Sequence, residues 1–232
     1  MINPKIDKKI LSFDFDGTIA KTKELFLDSI IKFKQKYSKI HLNYDEEYVF
    51  YNSLISSGNL QGLIKELKIP VIKIIPFYKE FRNYFQSNLL SCPIEEGLDQ
   101  VLENLSKEKN YTLFIISSNN KEAIQNYLEK KKLDYFEKIY SDNFSFKKCT
   151  TLKKAINNEI SQNNTIKMMY IGGDEIRDIH ACKKCESNFS YSLPITSVSW
   201  GYQDEETLKK HNPDFLINSP KDLERLLEFI EF

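Results

Sequence analysis

The chain has 232 residues, 41% hydrophobic and 28% charged, with 33 basic and 33 acidic side chains and therefore no formal net charge. This composition suits a folded protein with a substantial core, and balanced charge supplies no global field to hold nucleic acid or an anionic membrane, so a small-molecule partner is expected. No apolar run approaches the roughly 20 residues that span a bilayer or forms a leader ahead of the first acids, and the expected compartment is the cytoplasm.

The first element is a short apolar run, Ile10, Leu11, Phe13 and Phe15, which reads as a buried parallel strand. It leads into Asp14-Phe15-Asp16-Gly17-Thr18. Carboxylates two positions apart leave the same face of a strand, and Gly17 lets the backbone turn away. Such a pair needs a cation, a shared proton or solvent to relieve its repulsion, and ligands of open α/β sheets gather at strand ends. A solvated turn would carry the same letters.

From Thr18 to about residue 90 the pattern is helical. Leu25, Phe26, Ile30, Phe33 and Tyr37 form one apolar stripe, and a second helix is expected over residues 45–52. Asn59 caps a third over residues 60–67, and Pro70 opens a fourth through Tyr78, Phe81, Tyr84 and Phe85, which Pro76 should kink or split. Residues 20–90 thus read as an inserted helical domain, with 1–19 and 91–232 as the core.

After Cys92 helices and strands alternate. Pro93 and Glu95-Glu96 suit a helix start, with Leu98, Val101, Leu102 and Leu105 as its buried face. Strands are expected at 111–116, 137–140, 167–171, 195–200 and 214–217. Helices are expected at 121–132 and 149–160, across Arg177 and Asp178, and from Ser219-Pro220 onward. This alternation implies an α/β protein with a parallel sheet covered on both faces. Cys92, Cys149, Cys182 and Cys185 read as free thiols, because only Cys182 and Cys185 are close and a second ligand pair for zinc is missing.

Two later strands also end in polar groups. Ser117-Ser118-Asn119-Asn120 sits where a strand hands over to a helix, whose free amides and dipole suit an anion, although a serine there also serves as a helix cap. Gly172-Gly173-Asp174-Glu175, with Asp178 one helical turn on, could offer carboxylates to a hard cation such as Mg2+, or could be a capped helix start with Asp178 in solvent. Lys147-Lys148 precedes a helix, where a lysine opposes the dipole unless it neutralises acids and phosphate.

From Lys9 to Leu227 the sequence resembles the haloacid dehalogenase-like hydrolase superfamily, near its phosphoglycolate phosphatase-like branch. Phe13 to Thr18 is similar to the first motif, Ile115 to Asn119 to the second, Lys148 to the third and Gly173 to Asp178 to the fourth. Val198 to Tyr202 and Asn212 to Ile217 are similar to that branch as well. The resemblance implies a Rossmann-like core with a helical cap inserted after the first motif. It implies a Mg2+-dependent phosphatase of a small phosphorylated metabolite. Asp14 would be the nucleophile, forming an aspartyl-phosphate, and Asp16 the general acid and base. Ser117, Ser118, Asn119 and Lys148 would bind phosphate. Asp14, Asp16 through its backbone carbonyl, and Asp174 would hold the metal, with Asp178 or Glu175 supporting. A phosphomutase would use the same motifs, and a regulatory protein could keep the fold without turnover. Lys21 stands where many relatives carry an acid, and about six extra residues fall near 188–194. Lys73, Tyr78, Arg82 and the turn at 56–59 are the places in the cap to seek leaving-group contacts.

Overall fold

The computed structural model describes residues 7–39, 43–108, 110–141, 148–161, 165–187 and 192–230; Lys147 and residues 188–191 of the expected insertion lie outside them. Strand β1 (Asp7–Phe13) is central in a parallel sheet with β2 (Tyr111–Ser117), β3 (Phe136–Ser141), β4 (Thr165–Gly172), β5 (Ile195–Val198) and β6 (Phe215–Ile217). The strand order is β3-β2-β1-β4-β5-β6, a doubly wound Rossmann-like arrangement in which the chain's direction of winding reverses between β1 and β4. Phe13 lies opposite Ile115 of β2 and Ile171 of β4, so the ends of these three strands are level.

Alternation along each strand builds two cores. Leu11, Phe13, Leu113, Ile115, Met169 and Ile171 enter one cluster, whereas Ile10, Phe114, Ile116, Met168 and Tyr170 enter the other. The first is covered by α5 (Leu98–Lys107), α6 (Lys121–Lys131) and α10 (Pro220–Phe229). The second is covered by α7 (Lys148–Ser161) and α8 (Ile176–Glu186), together with Leu208 of α9 (Glu205–Lys209), a five-residue helix too short for periodicity to reveal. Leu98, Val101, Leu102 and Leu105 are all buried as expected, but their helix starts at Leu98, after Gly97, rather than near Pro93. Cys92, Cys149, Cys182 and Cys185 are all free, and the last two are buried beneath α8.

Between β1 and β2 lie α1 (Lys23–Tyr37), α2 (Tyr44–Ser56), α3 (Leu60–Glu66) and α4 (Ile74–Asn88). Asn43 forms a capping box with Glu46, and the Asn59 side chain accepts from the Gly62 amide. Leu27, Ile30, Ile31, Tyr51, Ile55, Leu63 and Leu67 make a third core of their own, joined by Tyr202 from beyond β5. The chain leaves and re-enters the sheet layer through two paired segments: the Glu95 amide donates to Ile19 O at 3.0 Å and the Lys21 amide to Pro93 O at 2.9 Å. Lys21 extends this pairing with an ion pair to Glu95. Pro76 does not break α4. It is the third residue of that helix, where an amide has no intrahelical acceptor in any case, and the irregularity falls earlier as a 3₁₀ turn over Val71–Lys73.

Candidate active site

The site occupies the carboxyl ends of β1, β2 and β4, at the point where the winding reverses. Asp14 continues the ladder for one more bond, its amide donating to Ile171 O at 2.8 Å, and the chain then turns at Gly17. Gly17 has φ of 77°, and a Cβ on it would stand 2.2 Å from Asp174 Oδ2, so both conformation and space demand glycine there.

Lys148, the first residue of α7, reaches across the strand ends. Its Nζ lies 2.7 Å from Asp14 Oδ2 and 2.6 Å from Asp178 Oδ1, with all three side chains largely buried. Burial alone would favour a neutral amine, but Asp14 and Asp178 overcome it and hold the lysine well above its ordinary pKa. Asp14 itself is raised from 3.8 to about 7. Burial is the main cause, Lys148 opposes it, and the nearby Asp178 and Asp16 reinforce it.

Asp174 follows β4 and is 1% exposed. Its Oδ2 accepts the Tyr202 amide at 3.1 Å, while its Oδ1 is buried without a hydrogen-bond partner. Burial, then the charges of Asp14, Asp178 and Glu175, push its carboxyl well above the usual range. Among the described residues, Asp14, Asp174 and Asp178 form one buried cluster whose oxygens lie within 4.8 Å of one another. A bare lysine does not balance three buried acids, and the donor set is all oxygen with one orphaned atom, which fits a small hard divalent cation such as Mg2+. Glu175 is outside this cluster. It sits at the N-cap of α8 and its carboxylate pairs with Arg177.

Asp16 is held from the next strand. Asn119 Nδ2 donates to both of its oxygens, at 2.9 and 3.2 Å. Burial raises Asp16 from 3.8 to about 6, and hydrogen bonds from Asn119 and Thr22 limit the rise by favouring the carboxylate. Thr22 is in turn 3.1 Å from the Tyr202 hydroxyl. Ser117 ends β2, is 2% exposed, and accepts the Asn119 amide at 3.0 Å. Ser118 lines a cavity of about 520 Å³ with Lys148 and Asp178. The side chain of Asn119 is fully engaged, because its Oδ1 also accepts the Asn120 amide at 2.7 Å.

Asp14, Lys148, Asp174 and Asp178 therefore meet in one cluster and Asn119 meets Asp16, whereas Glu175 turns to Arg177. Three contributors were not expected from the sequence: Tyr202, whose amide holds Asp174; Gly201, which leaves room for it; and Lys23, whose Nζ donates to Ser56 Oγ at 3.0 Å beside the site. The aromatic run through Trp200 and Tyr202 after β5 was the available signal for the first. Of the sites proposed in the insertion, the turn at 56–59 meets the core: Asp204 N donates to Ser56 O, and Gly58 packs on Ile176 and Gln203. Lys73 precedes α4 and Tyr78 lies in its second turn, about 22 and 15 Å along the helix axis from Asn88, where the chain returns toward the core.

The doubly wound parallel sheet brings Asp14 and Asp16 to its central strand end and Asp174 to the next, with Lys148 between Asp14 and Asp178, at the place where enzymes of the α/β class bind their ligands. Residues 11–191 match the family model of the haloacid dehalogenase-like hydrolases, and the chain belongs to that family. It is 28% identical over 128 residues to phosphoglycolate phosphatase of Synechococcus elongatus, an alignment covering 55% of this chain and 56% of that protein, so the chain spans little more than half of this curated relative. Among solved structures it is similar to a protein described as a predicted phosphatase from Clostridium acetobutylicum, with a TM-score of 0.74, 21% identity and coverage of 97% and 100% of the two chains. A protein described as a predicted phosphoglycolate phosphatase from Haemophilus somnus superposes with a TM-score of 0.68 at 15% identity over 95% and 98%. These likenesses establish the fold. Among the described residues no helix is long and apolar enough to cross a membrane.

Proposed function

We propose that the protein is a Mg2+-dependent phosphatase that hydrolyses a small organic phosphomonoester through an aspartyl-phosphate on Asp14. The observation that carries this reading is the buried cluster of Asp14, Asp174 and Asp178 with Lys148 bridging two of its members. Asp14 attacks phosphorus, the bond to the leaving oxygen breaks, and Asp16 supplies the proton that oxygen takes up. Asp16 then removes a proton from the water that attacks the phosphoenzyme, releasing phosphate and restoring Asp14. A carboxyl pushed to about 6 can both give and accept a proton near neutrality. Asn119 keeps Asp16 on the side facing the leaving oxygen. Lys148, the Ser117 hydroxyl and the amides that follow it steady the phosphoryl oxygens.

Asp14, Asp174 and the Asp16 backbone carbonyl would hold Mg2+, with Asp178 supporting. Once bound, the ion offsets the repulsion between an anionic nucleophile and an anionic phosphate. Residues 20–90 act as a cap that closes over the strand ends and selects the leaving group, with residues 1–19 and 91–232 as the catalytic core. The paired crossings at Ile19–Lys21 and Pro93–Glu95 support a hinge there.

The test is phosphate release from a panel of sugar phosphates, phosphoglycolate, nucleotides and an aryl phosphate, with Mg2+ or EDTA, using Asp14→Asn as control. Metal-dependent release that disappears in the variant is the expected result. Release that persists in EDTA or in Asp14→Asn would overturn the mechanism.

A further inference from the structure

Lys23 opens α1 immediately after Thr22, the residue whose hydroxyl helps hold Asp16. Its Nζ donates to Ser56 Oγ at 3.0 Å, across the seam where the 56–59 turn meets Ile176 and Gln203. Among the described residues its ammonium joins no ion pair, its side-chain hydrogen-bond partner being a neutral hydroxyl. Half-burial holds the Lys23 pKa below the ordinary lysine range, while Glu24, Asp174 and Asp204 pull it back up at longer range. Lysines removed from solvent are ordinarily paired, because desolvation penalises the charged form. Lys23 carries that penalty beside the catalytic acids with only one of its three N–H groups used by Ser56.

We infer that Lys23 is a specificity-determining residue that binds an anionic group, a carboxylate or a second phosphoryl group, on the leaving-group portion of the substrate. This rests on the phosphatase reading above, in which Asp16 faces the leaving oxygen. Asp16 is held by Thr22, Lys23 follows Thr22 at the start of α1, and Asp174 is among the charges that act on its ammonium, so the cation stands on the side of the acids that would receive the ester. The substrate class is therefore a phosphomonoester with a second anion within a few bonds of the ester oxygen, rather than the phosphate of a neutral alcohol. Ser56 positions the ammonium and closes with the turn that carries it, coupling recognition to closure of the insertion on the core.

The experiment compares kcat/KM for a matched pair, phosphoglycolate and ethyl phosphate, which differ by a carboxylate in place of a methyl group. Wild-type protein, Lys23→Met and Lys23→Arg are assayed with Mg2+, and thermal melts confirm that each variant folds. The wild-type ratio is expected to favour the anionic ester. Lys23→Met should lower that ratio roughly 10- to 100-fold, mostly through KM, the range of one hydrogen bond to a charged group. Lys23→Arg, which keeps the charge, should restore most of it. A wild-type ratio near one, or an equal loss on both esters in Lys23→Met, overturns the inference and leaves the phosphatase reading intact. Hydrolysis of neither ester, nor of any member of the wider panel, overturns both.

Discussion

Gly201 offers a direct test of how Asp174, the acid proposed to hold the metal, is placed. The residue has ordinary backbone geometry, so alanine brings no conformational strain, yet its Cβ would stand 2.3 Å from Asp174 Cβ and 2.5 Å from Asp174 Oδ2. The first distance is about 1.1 Å short of the 3.4 Å of an ordinary contact. Asp174 has little freedom to yield, because its carboxylate accepts from Tyr202 N and its backbone carbonyl from Gln203 N, each at 3.1 Å. Either the carboxylate moves by about an ångström or the turn after β5 moves with it. Overpacking of this kind costs about 1–3 kcal/mol, which lowers the melting temperature by roughly 2–12 °C for a chain of this size. A 1 Å misplacement of a catalytic group costs about 100-fold in rate.

Gly201→Ala should therefore lose about two orders of magnitude in kcat while remaining folded, and should need more Mg2+ for half-maximal activity. Gly97→Ala is the control. It has φ of 79° and nothing within 4 Å of its added Cβ, so it should cost about 1 kcal/mol of stability and leave kcat unchanged. Kinetics and metal titrations on both proteins, alongside circular dichroism melts, decide the matter. A folded Gly201→Ala with wild-type kcat and wild-type metal dependence would refute the placement of Asp174 in the site.

Asp14→Asn should abolish turnover with the fold preserved, and measurable metal-dependent phosphate release from the pure variant would remove Asp14 as nucleophile. Asn119→Ala should lower kcat by about tenfold or more with little change in KM, since it frees Asp16 without touching the substrate's remote parts; a loss confined to KM would contradict this. Asp14 at about 7 and Asp16 at about 6 both lie above the 3.8 of the unfolded chain because they are buried, so the native state binds more protons than the unfolded one between those values. Their contribution to stability is present at low pH and is lost as pH rises from about 4 to 7. The metal-free protein should show this loss in EDTA melts, less steeply in Asp14→Asn, and identical pH slopes for the two proteins would argue against it. In the insertion, Lys34 and Glu47 form an ion pair with both side chains buried. Glu47→Ala should cost about 3–5 kcal/mol by leaving the lysine uncompensated, and Lys34→Met with Glu47→Leu should recover most of it, measured by denaturant unfolding. A Glu47→Ala penalty within about 0.5 kcal/mol would count against that pair as a stability determinant.

Much of this architecture is legible in the sequence because it depends on local pattern. Strands β1, β2 and β4 each carry an apolar run, since both faces of this parallel sheet are covered, and three of the four motifs sit where such a run gives way to Asp, Ser or Gly. Where local pattern was ambiguous, tertiary context decided. Asp178 reads equally well as a solvated first-turn acid, and it is buried because Lys148 meets it there. Pro76 reads as a helix breaker, and it is harmless because the helix begins only two residues earlier. Helix α9 has five residues and no period to detect.

What the sequence cannot display is which side chain answers which. Asp14 and Lys148 are 134 residues apart, Asp16 and Asn119 are 103 apart, and their meeting depends on β2 and β4 flanking β1 in the sheet. Residue types alone put Asn119 among the phosphate ligands, since an amide after a strand is a plausible anion donor. Only the level ends of β1 and β2 bring it to Asp16, where its amide nitrogen donates to the carboxylate. The same strand register explains why Lys23 escaped notice. As a letter it is one of 33 basic residues, and its meaning comes from the carboxylates that the sheet gathers behind it and from the Ser56 hydroxyl that the insertion folds back in front of it. The proposed chemistry rests on residues that local pattern makes visible, and the proposed selectivity on a residue that only the packing of the insertion against the core makes distinct.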